Sequence, residues 1–147
     1  MSRMESSSGV RGRILALDVG ERRIGVAISD PLGLTAQRLT NIERQDLSRD
    51  LTAIAILATE HQVEALVVGL PLTMQGRIGP QAERVMLVVE ALRERVPCPV
   101  HVVDERLTTA QGQRALLEAD VSRRRRKHLI DQVAAQLILQ TYLDGHR

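Results

Sequence analysis

Hydrophobic residues in the first third of the chain come in short β-rich runs, whereas beyond residue 45 helical stripes alternate with such runs. RILALDV at 13–19 and RIGVAIS at 23–29, separated by Gly20-Glu21-Arg22, predict a hairpin. A third strand is expected around Thr35 to Asn41. From Asp46, a candidate cap, the positions Leu47, Leu51, Ile54, Leu57 and Ala58 keep the helical period and predict a helix ending near His61. ALVVG at 65–69 is short and wholly apolar, as expected of a strand buried on both faces, so helices are needed on both sides of the sheet. Gly79-Pro80 opens a second helix with Ala82, Val85, Val89, Leu92 and Val96 on one stripe, and Pro97 closes it. VHVV at 100–103 predicts a fifth strand. Thr108 and Gln111 form a capping box for a helix through about Ala119, and a last helix is expected from about Lys127 to Leu143. A hairpin or meander feeding parallel βα units gives an α/β fold with a five-stranded mixed sheet covered on both faces.

Length and composition narrow the class. At 147 residues, 44% hydrophobic and 26% charged, the chain fits one globular domain, expected over residues 13–147. Residues 1–12 lack an apolar core and read as a disordered tail rather than a secretory signal. No run of 18 apolar residues occurs, so no membrane partner is expected. The lone Cys98, between two prolines, excludes a disulfide framework, fits a cytoplasmic setting and reads as inert packing.

Charge is unevenly placed. Residues 121–147 carry four more basic than acidic side chains, concentrated in Arg123, Arg124, Arg125, Arg126 and Lys127, while the rest of the chain has a net charge of −2. Such a run is an electrostatic footprint for a polyanion, and a solvated loop is the alternative. Tyr142 is the sole aromatic residue, which disfavours a stacking platform for single-stranded bases.

Three carboxylates stand in apolar contexts. Asp18 follows Ile14-Leu15-Ala16-Leu17 at the carboxyl end of the first strand, and Glu105, beside Asp104, follows VHVV at the corresponding end of the fifth. In α/β sheets that edge is where ligands bind. Asp131 falls on or beside the packed sector of the last helix, with Ala134, Leu137, Ile138 and Tyr142. Converging carboxylates favour a Mg²⁺ or Mn²⁺ site of the kind that serves phosphodiester displacement. Helix caps and arginine salt bridges, Asp18 with Arg22 or Arg23 for instance, are the structural alternative. Thr73 and Arg77 in the loop GLPLTMQGRIG, and Arg106 beside Glu105, are candidate phosphate contacts.

The segments ILALDVGERRIGVAISD, VVGLPLTMQGRIGPQAE, VDERLTT and IDQVAAQLILQTYL resemble the YqgF (RuvX) family, in order and over nearly the whole chain from Ile14 to Leu143. The resemblance implies a ribonuclease H-like fold, related to the RuvC Holliday junction resolvase, and a metal-dependent nuclease. It implies as substrate the 5′ end of precursor 16S rRNA or branched DNA. By the same resemblance Asp18, Glu105 and Asp131 become the catalytic and metal-binding triad, with Asp104 in reserve for Glu105. His128, one helical turn before Asp131, takes the place of a further ligand in related resolvases, against a plain basic-helix residue. Arg77, Arg106 and the run Arg123 to Lys127 would contact nucleic acid. A junction resolvase would act as a homodimer, an rRNA-trimming enzyme as a monomer. Two other classes stay open: a non-catalytic nucleic-acid-binding or ribosome-assembly module, and an actin- or sugar-kinase-like ATPase suggested by Asp18-Val19-Gly20 and Gly25, for which the chain is short.

Overall fold

A computed structural model of the chain describes residues 12–107 and 123–145, with only the backbone described at 107 and over 123–131. The chain runs β1 (Ile14–Val19), β2 (Arg23–Ser29), β3 (Ala36–Glu43), α1 (Leu47–Glu60), β4 (Ala65–Leu70), α2 (Pro80–Arg95), β5 (Val100–Asp104), a 3₁₀ turn (Glu105–Leu107) and α3 (Arg123–Gly145). The five strands form one sheet in the order β3-β2-β1-β4-β5. β1 pairs antiparallel with β2 and parallel with β4, β2 antiparallel with β3, and β4 parallel with β5. This is the expected mixed sheet.

Local signals explain the boundaries. Asp46 accepts the Arg49 N–H at 2.9 Å and caps α1. Pro80, whose missing N–H is harmless in a first turn, opens α2 behind Gly79. Gly20 fits a turn in which its N–H reaches the Arg23 carbonyl at 2.9 Å and a Cβ would stand 2.9 Å from that same oxygen. β3 runs two residues beyond the expected Asn41, because Ile42 and Glu43 continue pairing with Ile24 and Arg23. Leu39 forms a bulge, since Val26 faces Thr40 while Ala27 faces Arg38.

The central strands look uniformly apolar, yet they alternate large and small. Leu15, Leu17, Ile24, Val26, Leu66 and Val68 pack against α1 and α2, which contribute Leu51, Ile54, Val85, Val89 and Leu92. On the opposite face Ala16, Ala27, Ala36 and Ala65 meet Ala135, Ile138, Leu139 and Leu143 of α3. Small side chains let a long helix lie close to the sheet. Gln136 donates to the Ala36 carbonyl at 2.9 Å, and Gln140 accepts the Ala36 N–H at 3.1 Å. Both contacts sit at the amino edge of β1, where Ser29 Oγ accepts the Ile14 N–H at 2.8 Å.

Two sequence expectations change. α3 starts at Arg123, not near Lys127, so the basic run occupies the first turns of the helix instead of a loop before it. Adjacent helix positions differ by about 100°, which spreads the five positions around the axis. The buried stripe of α3 also differs: Ala134, Ala135, Ile138, Leu139 and Leu143 are buried, while Leu137 and Tyr142 are only half-buried. The helix packs through its alanines because the opposing strand positions are themselves small. The tail expected over residues 1–12, apart from residue 12, and the capping-box helix at 108–119 lie outside the described residues.

Candidate metal and nucleic-acid site

Strand alternation carries Ile14 and Ala16 toward α3, and Asp18 continues that series at the carboxyl end of β1, only 5% exposed. Directly across the ladder from Asp18 stands Gly25, which adds no side chain beside the carboxylate. On the other flank Leu17 pairs with Val68 and Gly69 with Val103, so the next position toward the same edge leads to Gly69 and then to the Glu105 turn. Glu105 is half-buried and leans over β4. A Cβ placed on Gly69 would stand 3.0 Å from Glu105 Cγ and would collide with Ile138 Cδ1. The missing side chain at Gly69 therefore leaves the space through which Glu105 crosses toward β1. The glycine in an otherwise apolar strand was the available sequence signal for this position.

Ile138 connects the third candidate to the same edge. Asp131 lies three, four and seven positions before Ala134, Ala135 and Ile138, which places its helix position on the sheet-facing stripe. The helix contacts the amino edge of β1 through Gln140 and Gly69 through Ile138, so its N-terminal half extends toward the carboxyl edge. Position 131 is about 10 Å along the axis from Ile138 in that direction. The side chains of Asp131, His128 and the basic run lie outside the described residues. Among the described residues, no group of three metal-ligating side chains occurs. The described donors at this edge are carboxylate oxygens, and hard oxygen donors suit Mg²⁺ or Mn²⁺.

Asp104 and Arg106 have partners of their own. The Asp104 carboxylate accepts the Arg106 backbone N–H at 2.9 Å and its guanidinium at 2.7 and 3.1 Å. Arg106 hydrogen bonding, opposed by modest burial, holds the Asp104 carboxyl below the usual carboxylate range, and the same contact raises the guanidinium. Arg106 thus faces Asp104 and the Met74 carbonyl at 3.3 Å. Arg77 is exposed on the β4–α2 loop. Its N–H reaches Thr73 Oγ1 at 3.1 Å, so the threonine hydroxyl holds the loop by accepting, with its own O–H left to donate.

Asp50 is the carboxylate that periodicity missed. It is 2% exposed and accepts Arg44 Nε at 3.1 Å and the Gln45 N–H at 3.0 Å. Arg44 also donates to the Gly20 carbonyl at 2.9 Å, bracing the turn that follows Asp18. A cleft of about 560 Å³ lies around this turn, lined by Val19, Gly20, Arg44, Gln81 and Arg84 among others. Asp30 accepts the N–H groups of Leu32, Leu34 and Thr35 and closes the β2–β3 turn, a local structural role. Burial pushes the Cys98 thiol up, in keeping with an inert packing residue. Tyr142 stacks on His101 with ring centroids 5.5 Å apart. Among the described residues no helix is long and apolar enough to cross a membrane.

Known proteins resemble this chain in sequence or in fold. A protein from Moorella thermoacetica is 58% identical over 132 residues, covering 90% of this chain and 94% of its own length. One from Myxococcus xanthus is 52% identical over 135 residues, covering 92% and 89%. Both bear the name "Putative pre-16S rRNA nuclease". Among solved structures, Thermus thermophilus RuvC in complex with a Holliday junction substrate superposes with a TM-score of 0.59 at 13% identity, covering 92% of this chain and 97% of that one. The fowlpox virus Holliday junction resolvase gives 0.53 at 12% identity, covering 90% and 99%. These likenesses establish a RuvC-like fold. The family model described as "RuvX: Holliday junction resolvase" matches residues 12–145, and the chain belongs to that family.

Proposed function

We propose that this chain is a divalent-cation-dependent endonuclease that hydrolyses phosphodiester bonds in structured nucleic acid, with Asp18, Glu105 and Asp131 holding Mg²⁺ or Mn²⁺. One observation carries the reading: Asp18 and Glu105 share the α3 side of the carboxyl edge, with the side-chain-free Gly69 between their strands. Carboxylates alone repel a phosphodiester, so cations must reverse the local charge before substrate can approach. When bound, such cations polarise the phosphate and lower the pKa of a coordinated water. The chain's own part is positional. β1 fixes Asp18, the 3₁₀ turn aims Glu105 across Gly69, and α3 carries position 131 toward the same edge. His128, one turn before Asp131, is a further candidate ligand or base. Asp104, engaged by Arg106, is not needed as a substitute for Glu105.

The nucleic-acid path in this proposal runs from Arg77 on the β4–α2 loop to the run Arg123 to Lys127 at the start of α3. Arg106 would act there through the loop it holds. The rRNA reading is favoured because relatives matching almost end to end are named for pre-16S rRNA. Branched DNA is the second reading, supported by the family description. A two-fold homodimer fits the second and a monomer suffices for the first. A cytoplasmic setting suits both. The test is one preparation assayed on both substrates with Mg²⁺ and with Mn²⁺, beside Asp18→Asn and a measured solution mass. Cleavage of neither substrate, or full activity in Asp18→Asn, would refute the proposal.

A further inference from the structure

We infer that Asp104 and Arg106 form a positioning splint that sets the aim of Glu105 and fixes the Thr73–Arg77 turn beside it, a role that rests on the nuclease reading above. Glu105 needs such a device. It follows the last residue of β5, which among the described residues pairs with β4 alone, and opens the 3₁₀ turn beyond the last paired position, Asp104. Asp104 constrains this turn by accepting the Arg106 N–H at 2.9 Å, which closes it with Glu105 at its centre. The same carboxylate binds the Arg106 guanidinium at 2.7 Å, so the residues flanking Glu105 lock onto each other across it. Two adjacent acids thus divide the work, with Glu105 over Gly69 and Asp104 on its neighbour's guanidinium.

Arg106 extends the splint to a second element. Its Nη1 donates to the Met74 carbonyl at 3.3 Å. The guanidinium also lies against Gly76, where a Cβ would stand 3.0 Å from Nη2 and 3.1 Å from Nη1. Gly76 has φ of +81°, a conformation that side chains rarely adopt, and this backbone geometry is what calls for glycine there. The turn it belongs to is closed by the Gly76 N–H to the Thr73 carbonyl at 2.8 Å and the Thr73 N–H to the Arg77 carbonyl at 2.9 Å. Arg77 is therefore presented by a turn whose tip is fastened to the residue next to Glu105. A phosphate held by Arg77 and a cation held by Glu105 are placed relative to each other by this contact.

A partly exposed ion pair contributes little to global stability, which separates positioning from scaffolding in a test. Mn²⁺ affinity is measured by titration calorimetry without substrate, with melting temperature in metal-free buffer and amide hydrogen exchange of Gly76 and Arg77 as companion readouts. Asp104→Ala removes both contacts and should weaken Mn²⁺ binding by about 10-fold or more, the range seen when a residue that orients a metal ligand is removed. Asp104→Asn keeps an oxygen acceptor for the Arg106 N–H and should recover part of that loss. Arg106→Gln should speed exchange at Gly76 and Arg77 while its metal-free melting temperature stays near wild type. Asp104→Ala binding Mn²⁺ within two-fold of wild type, or unchanged loop exchange in Arg106→Gln, would overturn the splint while a metal-binding, cleaving wild type leaves the nuclease reading intact. A wild type that binds no Mn²⁺ would remove the nuclease reading and this inference together.

Discussion

Replacing Gly69 with alanine tests the centre of the site with a single methyl group. Alanine in a strand with no unusual φ ordinarily gains about 0.4–1 kcal/mol by restricting the unfolded chain. At position 69 that gain meets an obstacle, because the new Cβ would collide with Ile138 Cδ1 and stand 3.0 Å from both Ile138 Cγ1 and Glu105 Cγ. Ile138 is fully buried and cannot swing into solvent. Overpacking of this kind costs about 1–3 kcal/mol, so a net loss of roughly 1–2 kcal/mol is expected in urea denaturation. The companion variant is Ile138→Val, which removes the Cδ1 atom and alone should cost about 0.5–1.5 kcal/mol. In the double variant the methyl fills the space the isoleucine vacated, and the combined loss should be smaller than the sum of the single losses. Glu105 gives the second readout: even where α3 relaxes, the carboxylate is pushed off its path and Mn²⁺ affinity should drop. A Gly69→Ala protein at least as stable as wild type, with unchanged Mn²⁺ affinity, would show that neither Ile138 nor Glu105 packs on this glycine.

Asp18→Asn should abolish cleavage with the fold intact, and Mg²⁺ should raise its melting temperature less than it raises that of wild type; circular dichroism and melting curves with and without Mg²⁺ check this. Three backbone N–H groups, that of Thr35 foremost, hold the Asp30 carboxyl below its ordinary range. A depressed carboxylate pKa stabilises the fold fully above the unfolded value near 3.8 and loses that contribution as pH falls through the folded value, so Asp30→Asn should flatten the acid limb of stability, read from urea midpoints between pH 5 and 2. Neutralising three of Arg123, Arg124, Arg125, Arg126 and Lys127 should lower affinity for nucleic acid of any sequence and reduce the log–log salt slope by about 0.9 per lost duplex contact; an unchanged slope would remove this run from the path.

The strands and the two middle helices were legible because their signals are local. A period-two run bounded by turn residues, an aspartate before a helical stripe and a proline in a first turn each act within a few residues, and each element appears where those signals sit. The side to which Asp18 faces was legible too, though only once alternation inside ILALDV is read as large against small rather than apolar against polar. Periodicity served α3 less well. Its buried stripe is rich in alanine, and a hydrophobicity pattern weights Leu137 above Ala135 although the sheet face made by Ala16, Ala27 and Ala36 accepts the smaller residue.

What stayed hidden is how side chains leave the ends of strands. Adjacent carboxylates at 104 and 105 must point to opposite sides, which the sequence states, but which of them meets the neighbouring arginine depends on the turn that follows. The structure resolves this through Arg106, whose own reach is set by a carbonyl 32 residues earlier, at Met74. Gly76 and Gly69 are the traces that such contacts leave in the chain: the place of a Gly69 Cβ is taken by Ile138 Cδ1 with Glu105 Cγ beside it, and Gly76, held at φ of +81°, lies against the Arg106 guanidinium. A glycine in an apolar strand, or at a loop tip beside the carboxyl edge of a sheet, is thus a pointer to a crossing side chain. Here Glu105, beside Ile138 of α3, reaches Gly69 and Arg106 reaches Gly76 from one three-residue turn, so the Glu105 turn helps organise the edge from which Asp18 also projects.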